Sequence, residues 1–131
     1  MEKAIQDVTL GTAGWFAFGT APVGLTAGQT VRVSVANLGA SDAVVLCGVW
    51  QNPTPRSLKQ DSYTLASGEA RNCDLNASDL AKEMFDEARR AQIRAFVRSN
   101  SRMVCASLEV FESKTGRTTF ALPLQEILPR G

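Results

Sequence analysis

Residues 91–112, AQIRAFVRSNSRMVCASLEVFE, decide the fold that the sequence predicts. Two runs with apolar residues at every second position flank the polar segment SNSR at 99–102. A four-residue loop at that segment pairs the runs with one wholly apolar face: Val97 with Val104, Ala95 with Ala106, Ile93 with Leu108 and Ala91 with Val110. A slip by one residue would put charged side chains on that face, so the pattern predicts a β-hairpin in an antiparallel sheet.

The opposite face of this predicted hairpin mixes arginine, aromatic and sulfur-containing side chains. Its main members are Arg94, Phe96, Arg98, Met103 and Phe111. These residue types are enriched in protein interfaces and among the residues that contribute most to binding. We therefore expect this face to be a contact surface, unless another part of the chain covers it.

Further strands are predicted upstream of this hairpin. Val31, Val33 and Val35 alternate with smaller or polar residues, and AVVLCGVW at 43–50 is a short continuous apolar run. A loop at 39–42 would pair these two strands, with Val35 opposite Leu46 and Val31 opposite Trp50. Weaker strand patterns occupy 4–10, 15–18, 57–65 and 70–75. Pro53 and Pro55 end the strand predicted from the apolar run at 43–50.

Turn signals organise the remaining strands. Lys114-Thr115-Gly116 has glycine where a three-residue hairpin loop needs a left-handed residue, which sets Phe120 opposite Val110 and Leu122 opposite Leu108. The segments LTAGQ at 25–29 and LASGE at 65–69 echo each other. This echo predicts two equivalent corners of a sandwich.

The periodicity changes between residues 78 and 90. Leu80, Ala81, Met84, Phe85 and Ala88 share one face of a helical projection. Asn76 or Ser78 could cap a helix there, and Arg89 and Arg90 would complement its C-terminal end. The pattern predicts one short helix over about 78–90 that crosses into the hairpin.

The complete pattern is seven or eight short strands and one crossover helix in a single domain, 1–131. It predicts an all-β fold, an antiparallel immunoglobulin-like β-sandwich, with a barrel as the alternative. The predicted core consists of apolar residues on the inward faces of these strands: Val31, Val33, Val35, Leu46, Trp50, Ile93, Leu108, Val110 and Phe120.

Composition excludes several functional classes. The 14 basic and 13 acidic residues leave a net charge of +1, which disfavours a nucleic-acid binder. The chain has no histidine, the commonest general base and metal ligand, so we expect neither an enzyme nor a cofactor or metal site. There is no apolar run of membrane-spanning length, and residues 1–15 show no signal-peptide pattern.

The three cysteines, Cys47, Cys73 and Cys105, are widely spaced and form no Cys-x-x-Cys pair. They fit buried thiols in a reducing compartment, or one disulfide plus a free thiol. The spacing does not select a pair.

Three stretches carry a family resemblance: GLTAGQTVRVSVANLG at 24–39, AQIRAFVR at 91–98 and LEVFESKTGRTTF at 108–120. They resemble a group of bacterial immunoglobulin-like β-sandwich domains of unknown function. The resemblance implies a sandwich in a cell-envelope or exported setting, and it brings no catalytic residue.

The functional expectation is a non-enzymatic structural or protein-interaction module. Its partner would be another protein or a second copy of the chain, as in a subunit of a larger assembly. The alternative is a carbohydrate- or cell-surface-binding domain, which an exposed Trp15 or Trp50 beside a shallow groove would favour. Oligonucleotide binding comes third and would show strong salt dependence.

Overall fold

The structure, a computed structural model, describes residues 15–51 and 56–127. In these ranges the chain forms ten β-strands: β1 Phe16–Gly19, β2 Val23–Leu25, β3 Gln29–Asn37, β4 Ala43–Gln51, β5 Arg56–Leu65, β6 Ala70–Asn76, β7 Ala91–Ser99, β8 Val104–Glu112, β9 Thr118–Pro123 and β10 Gln125–Ile127. Two short 3-10 turns, Ala77–Asp79 and Lys82–Met84, lie between β6 and β7.

The strands form two antiparallel sheets. The six-stranded sheet has the order β10-β1-β7-β4-β5, with β2 also paired to β7, and the four-stranded sheet has the order β6-β3-β8-β9. The alternating apolar side chains of both sheets meet in one core, with β3, β4, β7 and β8 as its central strands. The predicted all-β sandwich is confirmed, but the predicted count of seven or eight strands is too low for the described ranges, since the three-residue strands β2 and β10 are too short to show an alternating pattern.

The predicted hairpin of residues 91–112 is wrong. β7 pairs with β1, β2 and β4, whereas β8 pairs with β3 and β9, so the two runs belong to different sheets. Their apolar faces oppose each other across the core, where Ile93 and Leu108 are both fully buried. Alternation specifies which face of a strand is buried, and a short polar loop serves equally well for neighbouring strands and for strands stacked face to face.

The predicted pairing of β3 with β4 is wrong for the same reason. β4 lies in the six-stranded sheet, with Val45, Cys47 and Val49 directed into the core. Leu46 and Trp50, both predicted as core, lie on the outer face of this sheet. Leu46 is nevertheless buried, at 4% exposure, as predicted, whereas Trp50 is partly exposed. The other predicted core positions are confirmed, six as buried residues and Phe120 as a partly buried residue packed on the core.

The turn chemistry was predicted correctly. β8 and β9 form a hairpin with Val110 opposite Phe120 and Leu108 opposite Leu122, and Gly116 has φ 74°. The two echoed segments are equivalent corners, each leading from the six-stranded to the four-stranded sheet.

In each corner the last side chain accepts a hydrogen bond from a backbone N–H three residues earlier. Gln29 Oε1 accepts from the N–H of Thr26 at 2.9 Å, and Glu69 Oε1 accepts from the N–H of Ala66 at 2.6 Å.

The predicted helix over 78–90 does not form. The segment contains the two 3-10 turns and then a turn in which the Asp86 carboxylate accepts a hydrogen bond from the N–H of Arg90. Leu80 and Phe85 are partly buried and still pack against the core, whereas Ala81 and Ala88 of the predicted helix face are exposed. A helix of three turns is marginal unless tertiary packing supports it, and here the packing selects turns.

Several predictions lie outside the described residues: the strand at 4–10, the strand-ending Pro53 and Pro55, and the last residues of the tail. The predicted strand near 15–18 is confirmed as β1. Within 15–51 and 56–127, no helix has the length and apolarity needed to cross a membrane.

One buried polar residue joins two crossovers between the sheets. Asn37, at 0% exposure, donates from Nδ2 to the carbonyls of Ser41 at 2.8 Å and Leu65 at 3.0 Å. Its Oδ1 accepts from the N–H of Gly39 at 2.9 Å. The amide therefore ties the β3–β4 crossover to the β5–β6 crossover.

Backbone hydrogen bonds extend this junction. The carbonyl of Asn37 accepts from the N–H of Gly68 at 2.8 Å. The N–H of Leu38 donates to the carbonyl of Met103 at 3.0 Å, which adds the β7–β8 crossover. Three crossovers thus meet at one end of the sandwich, around a side chain that is fully hydrogen-bonded, as a buried amide must be.

We expect Asn37→Ala to lower the free energy of unfolding by at least about 2 kcal/mol, because it removes the donor to the buried carbonyl of Leu65 and the bonds to Ser41 and Gly39. Urea unfolding measures the loss. Asn72→Ala, which removes an exposed hydrogen bond from Ser34, is the matched control and should cost under about 1 kcal/mol. Equal losses in the two variants would show that the Asn37 junction has no special weight.

Gly48 supplies a second test of the packing. A Cβ at this position would overlap the carbonyl oxygen of Lys59 and lie 3.0 Å from Cε1 of Phe96. We expect Gly48→Ala to destabilise the fold by about 1–3 kcal/mol in urea unfolding. Gly28→Ala is the control, since no heavy atom lies within 4 Å of its Cβ position, and it should change stability by less than about 0.5 kcal/mol. A neutral Gly48→Ala variant would contradict this close approach.

Candidate interaction surface

The structure divides the five predicted surface residues among three places. Arg94, Phe96 and Arg98 lie together on the outer face of the six-stranded sheet, alternating with core residues of β7. Met103 lies in the turn between β7 and β8, and Phe111 lies on the outer face of the four-stranded sheet. Phe96 and Phe111 are therefore on opposite sides of the molecule, because β7 and β8 belong to different sheets.

Trp50 joins the first group. β4 runs beside β7 and places Trp50 opposite Arg94 and Gly48 opposite Phe96. The Trp50 and Phe96 rings are 5.0 Å apart between centroids and inclined at 57°, a tilted aromatic pair. Trp50, Arg94, Phe96 and Arg98 are called the arginine–aromatic cluster below.

The sequence prediction missed Trp50 because it lies in a continuous apolar run. Such a run does not show which of its residues face outward. The available signal was Gly48, which leaves space on the outer face for the large ring of Phe96.

Both arginines of the cluster stack on aromatic rings. The guanidinium of Arg94 lies 5.0 Å from the Trp50 ring centroid. That of Arg98 lies 5.8 Å from both the Trp50 and the Phe96 rings. Burial lowers the pKa of Arg98, and partial desolvation strengthens a cation–π contact.

Two polar atoms in the cluster are buried without hydrogen-bond partners among the described residues. They are Nε1 of Trp50 and Nε of Arg94. A buried donor without an acceptor costs free energy. An acceptor brought by a binding partner would remove this cost if the two side chains shifted to meet it.

A small depression adjoins the cluster. Its lining includes Ala17, Gly19 and Ile127 from the strands on the far side of β7, and its volume is about 80 Å³. Sites for small molecules usually have volumes of about 300–1,000 Å³. The depression therefore fits a single inserted side chain better than an enclosed ligand.

The other two predicted residues have different surroundings. Met103 is 57% exposed and lies beside Leu38, 66% exposed, at the end of the sandwich held by Asn37. Phe111 lies under the guanidinium of Arg32 at 5.2 Å. Arg32 is in turn paired with Asp74 at 2.8 Å, which raises the pKa of Arg32. The positive charge beside Phe111 therefore already has a carboxylate partner within the protein.

The described surface also contains a groove away from the cluster. A wide groove of about 940 Å³ lies between the first corner and the 3-10 turns, with Leu80, Phe85 and Arg89 in its lining. Asp86, on its rim, is used to hold the turn at Arg90. Within the described ranges, no three Cys, Asp or Glu side chains are grouped as metal ligands.

These features define a β-sandwich whose most organised surface is an arginine–aromatic cluster. No protein-family model and no curated protein matches the chain. Among solved structures, the protein titled Thermotoga maritima 1070, from Thermotoga maritima, is similar in fold with a TM-score of 0.55. The match has 9% sequence identity and covers 88% of this chain and 96% of that one, so it supports the fold alone.

If Phe96 belongs to a contact surface, its substitution should destabilise the fold less than the substitution of a core phenylalanine. Phe18→Ala removes a core ring and should cost about 3–5 kcal/mol of unfolding free energy. Phe96→Ala should cost about 1–2 kcal/mol, since its ring is only partly buried. Phe111→Ala should resemble Phe96→Ala. If urea unfolding gave Phe96→Ala the larger loss, Phe96 would be a structural residue and not part of a contact surface.

Proposed function

We propose that this protein is a non-enzymatic, immunoglobulin-like β-sandwich module that binds another protein through the arginine–aromatic cluster. The observation that supports this most is the stacking of Arg94 on Trp50, with Phe96 against the same ring. Tryptophan and arginine are over-represented among the residues that dominate binding energies. Stacking also restricts these side chains before binding, which reduces the entropy lost on association.

The chemistry of the cluster suggests the kind of partner. Guanidinium groups bind carboxylates, and the aromatic rings and the adjoining depression accept an apolar side chain. The neighbouring outer-face positions on β5, Gln60 and Ser62, are uncharged and contribute no competing carboxylate. We infer a partner segment that combines acidic residues with an aromatic or large apolar one.

Self-association through this surface is less favourable. A two-fold contact would bring the Arg94 side chains of both copies together, and like charges in an interface are repulsive. A different protein with acidic residues avoids this repulsion. The structural role that the sequence suggests, as a subunit of a larger assembly, is compatible with such a partner.

The carbohydrate-binding alternative depends on Trp50 and Trp15, which are both partly exposed. Sugars usually stack on a free aromatic face. The guanidinium groups of Arg94 and Arg98 already lie over the Trp50 ring, so a sugar would have to displace one of them.

Charge reversal at Arg94 tests the proposal. The probes are immobilised peptides of equal length that are acidic and aromatic, basic and aromatic, or acidic only. We expect the protein to prefer the acidic and aromatic peptides, and Arg94→Glu to weaken that binding at least about tenfold. Arg117→Glu is the matched control, because Arg117 is exposed on the β8–β9 turn, away from the cluster, and this variant should bind normally.

Two further measurements separate the alternatives. Binding on a glycan array in place of the peptides would favour the carbohydrate-binding domain. Light scattering that shows a dimer sensitive to Arg94→Glu would favour self-association. Absence of any preference for acidic and aromatic peptides, or equal weakening in both charge-reversal variants, would reject the proposal.

A further inference from the structure

Two cysteines face each other across the core. Cys47 lies on β4 of the six-stranded sheet and Cys73 on β6 of the four-stranded sheet, at 0% and 3% exposure. Each thiol shifts the pKa of the other, so the two sulfurs lie near each other between the sheets. The hydroxyl of Tyr63 lies 3.4 Å from Sγ of Cys47 and completes a cluster of three polar groups in the core.

The strands that hold the two cysteines approach each other across the core. Some Cα atoms of β4 and β6 lie within 8 Å, less than the spacing of about 10 Å that is usual between stacked sheets. A disulfide joins residues whose Cα atoms are about 4.4–6.8 Å apart. Formation of the bond therefore requires the Cα atoms of Cys47 and Cys73 to come within this range.

The position of the pair also gives a route for a small reagent. β5 and β6 are edge strands of their sheets and neighbour each other on one side of the sandwich. Edge strands open locally more easily than central ones. A reagent the size of hydrogen peroxide therefore needs only a local opening beside β6 to reach Cys73.

The two thiols are chemically unequal. The interaction with Cys47 lowers the pKa of Cys73, Lys59 acts in the same direction, and burial together with Asp61 and Asp74 opposes it. The interaction with Cys73 and burial raise the pKa of Cys47. Cys73 also lies on the edge strand β6, so it is the sulfur that a reagent reaches first, and its thiolate is the nucleophile.

We propose that Cys47 and Cys73 are a site of oxidative modification, where a peroxide converts the thiol pair into a disulfide that links the two sheets. This inference is independent of the proposed protein contact. Cys47 and Cys73 provide the two sulfurs of the bond, and the oxidant is supplied from solution.

The chemistry balances with one hydrogen peroxide. The Cys73 thiolate attacks one peroxide oxygen and becomes a sulfenic acid, and the O–O bond breaks to release hydroxide, which takes up a proton as water. The Cys47 thiol then loses its proton and attacks the Cys73 sulfur. The S–S bond forms, the S–O bond breaks, and the second water leaves. Two thiols lose two electrons and two protons, and one peroxide becomes two waters.

During the second step Tyr63 has a positioning role. Its hydroxyl donates a hydrogen bond to the Cys47 sulfur as that sulfur becomes a thiolate. We expect Tyr63→Phe to slow disulfide formation severalfold without preventing it.

The experiment uses the full chain with Cys105→Ser, which removes the exposed thiol and leaves the pair intact. The folded protein is treated with hydrogen peroxide, denatured and alkylated, and its mass is measured by mass spectrometry. We expect two alkylations before treatment and none after, and a linked pair of tryptic peptides, 33–56 with 72–82. The oxidised form should melt at least about 5 °C higher, and reductant should reverse the shift.

The unsubstituted chain is the control for the oxidant, because Cys105 is exposed and must be oxidised under the same conditions. Cys73→Ser in the Cys105→Ser background must form no intramolecular link. Two free thiols at positions 47 and 73 under conditions that oxidise Cys105 would overturn the proposal. Their separate oxidation to sulfinic acids without a link would overturn it as well.

Discussion

The buried amide of Asn37 is the interaction on which the arrangement of the two sheets depends. The chain passes from one sheet to the other at each of the crossovers that meet there, and Asn37 satisfies backbone groups in two of them. A buried polar group with all its partners costs little, whereas one with a missing partner costs much. This asymmetry favours one mutual placement of the crossovers over others that would bury the same apolar area.

That placement determines the candidate surface. Because the β3–β4 crossover moves β4 into the six-stranded sheet, β4 becomes the neighbour of β7, and Trp50 lies opposite Arg94. Because Gly48 has no side chain, the Phe96 ring has room to contact the Trp50 ring. The inner positions of the same strand, Cys47 among them, are directed into the core. Trp50 of the cluster and Cys47 of the thiol pair therefore lie on opposite faces of β4, separated by the thickness of the sheet.

The buried face of each strand could be predicted from the sequence, whereas the pairing of most strands could not. Alternation in β7 and β8 identified the buried sides of both strands, and Gly116 identified the turn between β8 and β9. Alternation contains no information on whether two strands lie side by side or face to face, so β7 and β8 were paired wrongly. Trp50 was assigned inward for a related reason, since an apolar run has no outward marker. The amphipathic pattern near Phe85 marked apolar contacts correctly, but tertiary packing decided against a helix.

The crossovers also affect how the chain folds. Of the consecutive strands in the described ranges, β4–β5 and β8–β9 pair with each other, and most other pairings join segments distant in sequence. Distant pairings require loops to close before any contact is gained, so such topologies fold slowly. β1 pairs with β10, near the other end of the chain. During synthesis on the ribosome, the six-stranded sheet therefore stays incomplete until residues 125–127 have emerged, and its unpaired edges are exposed to other proteins during that time.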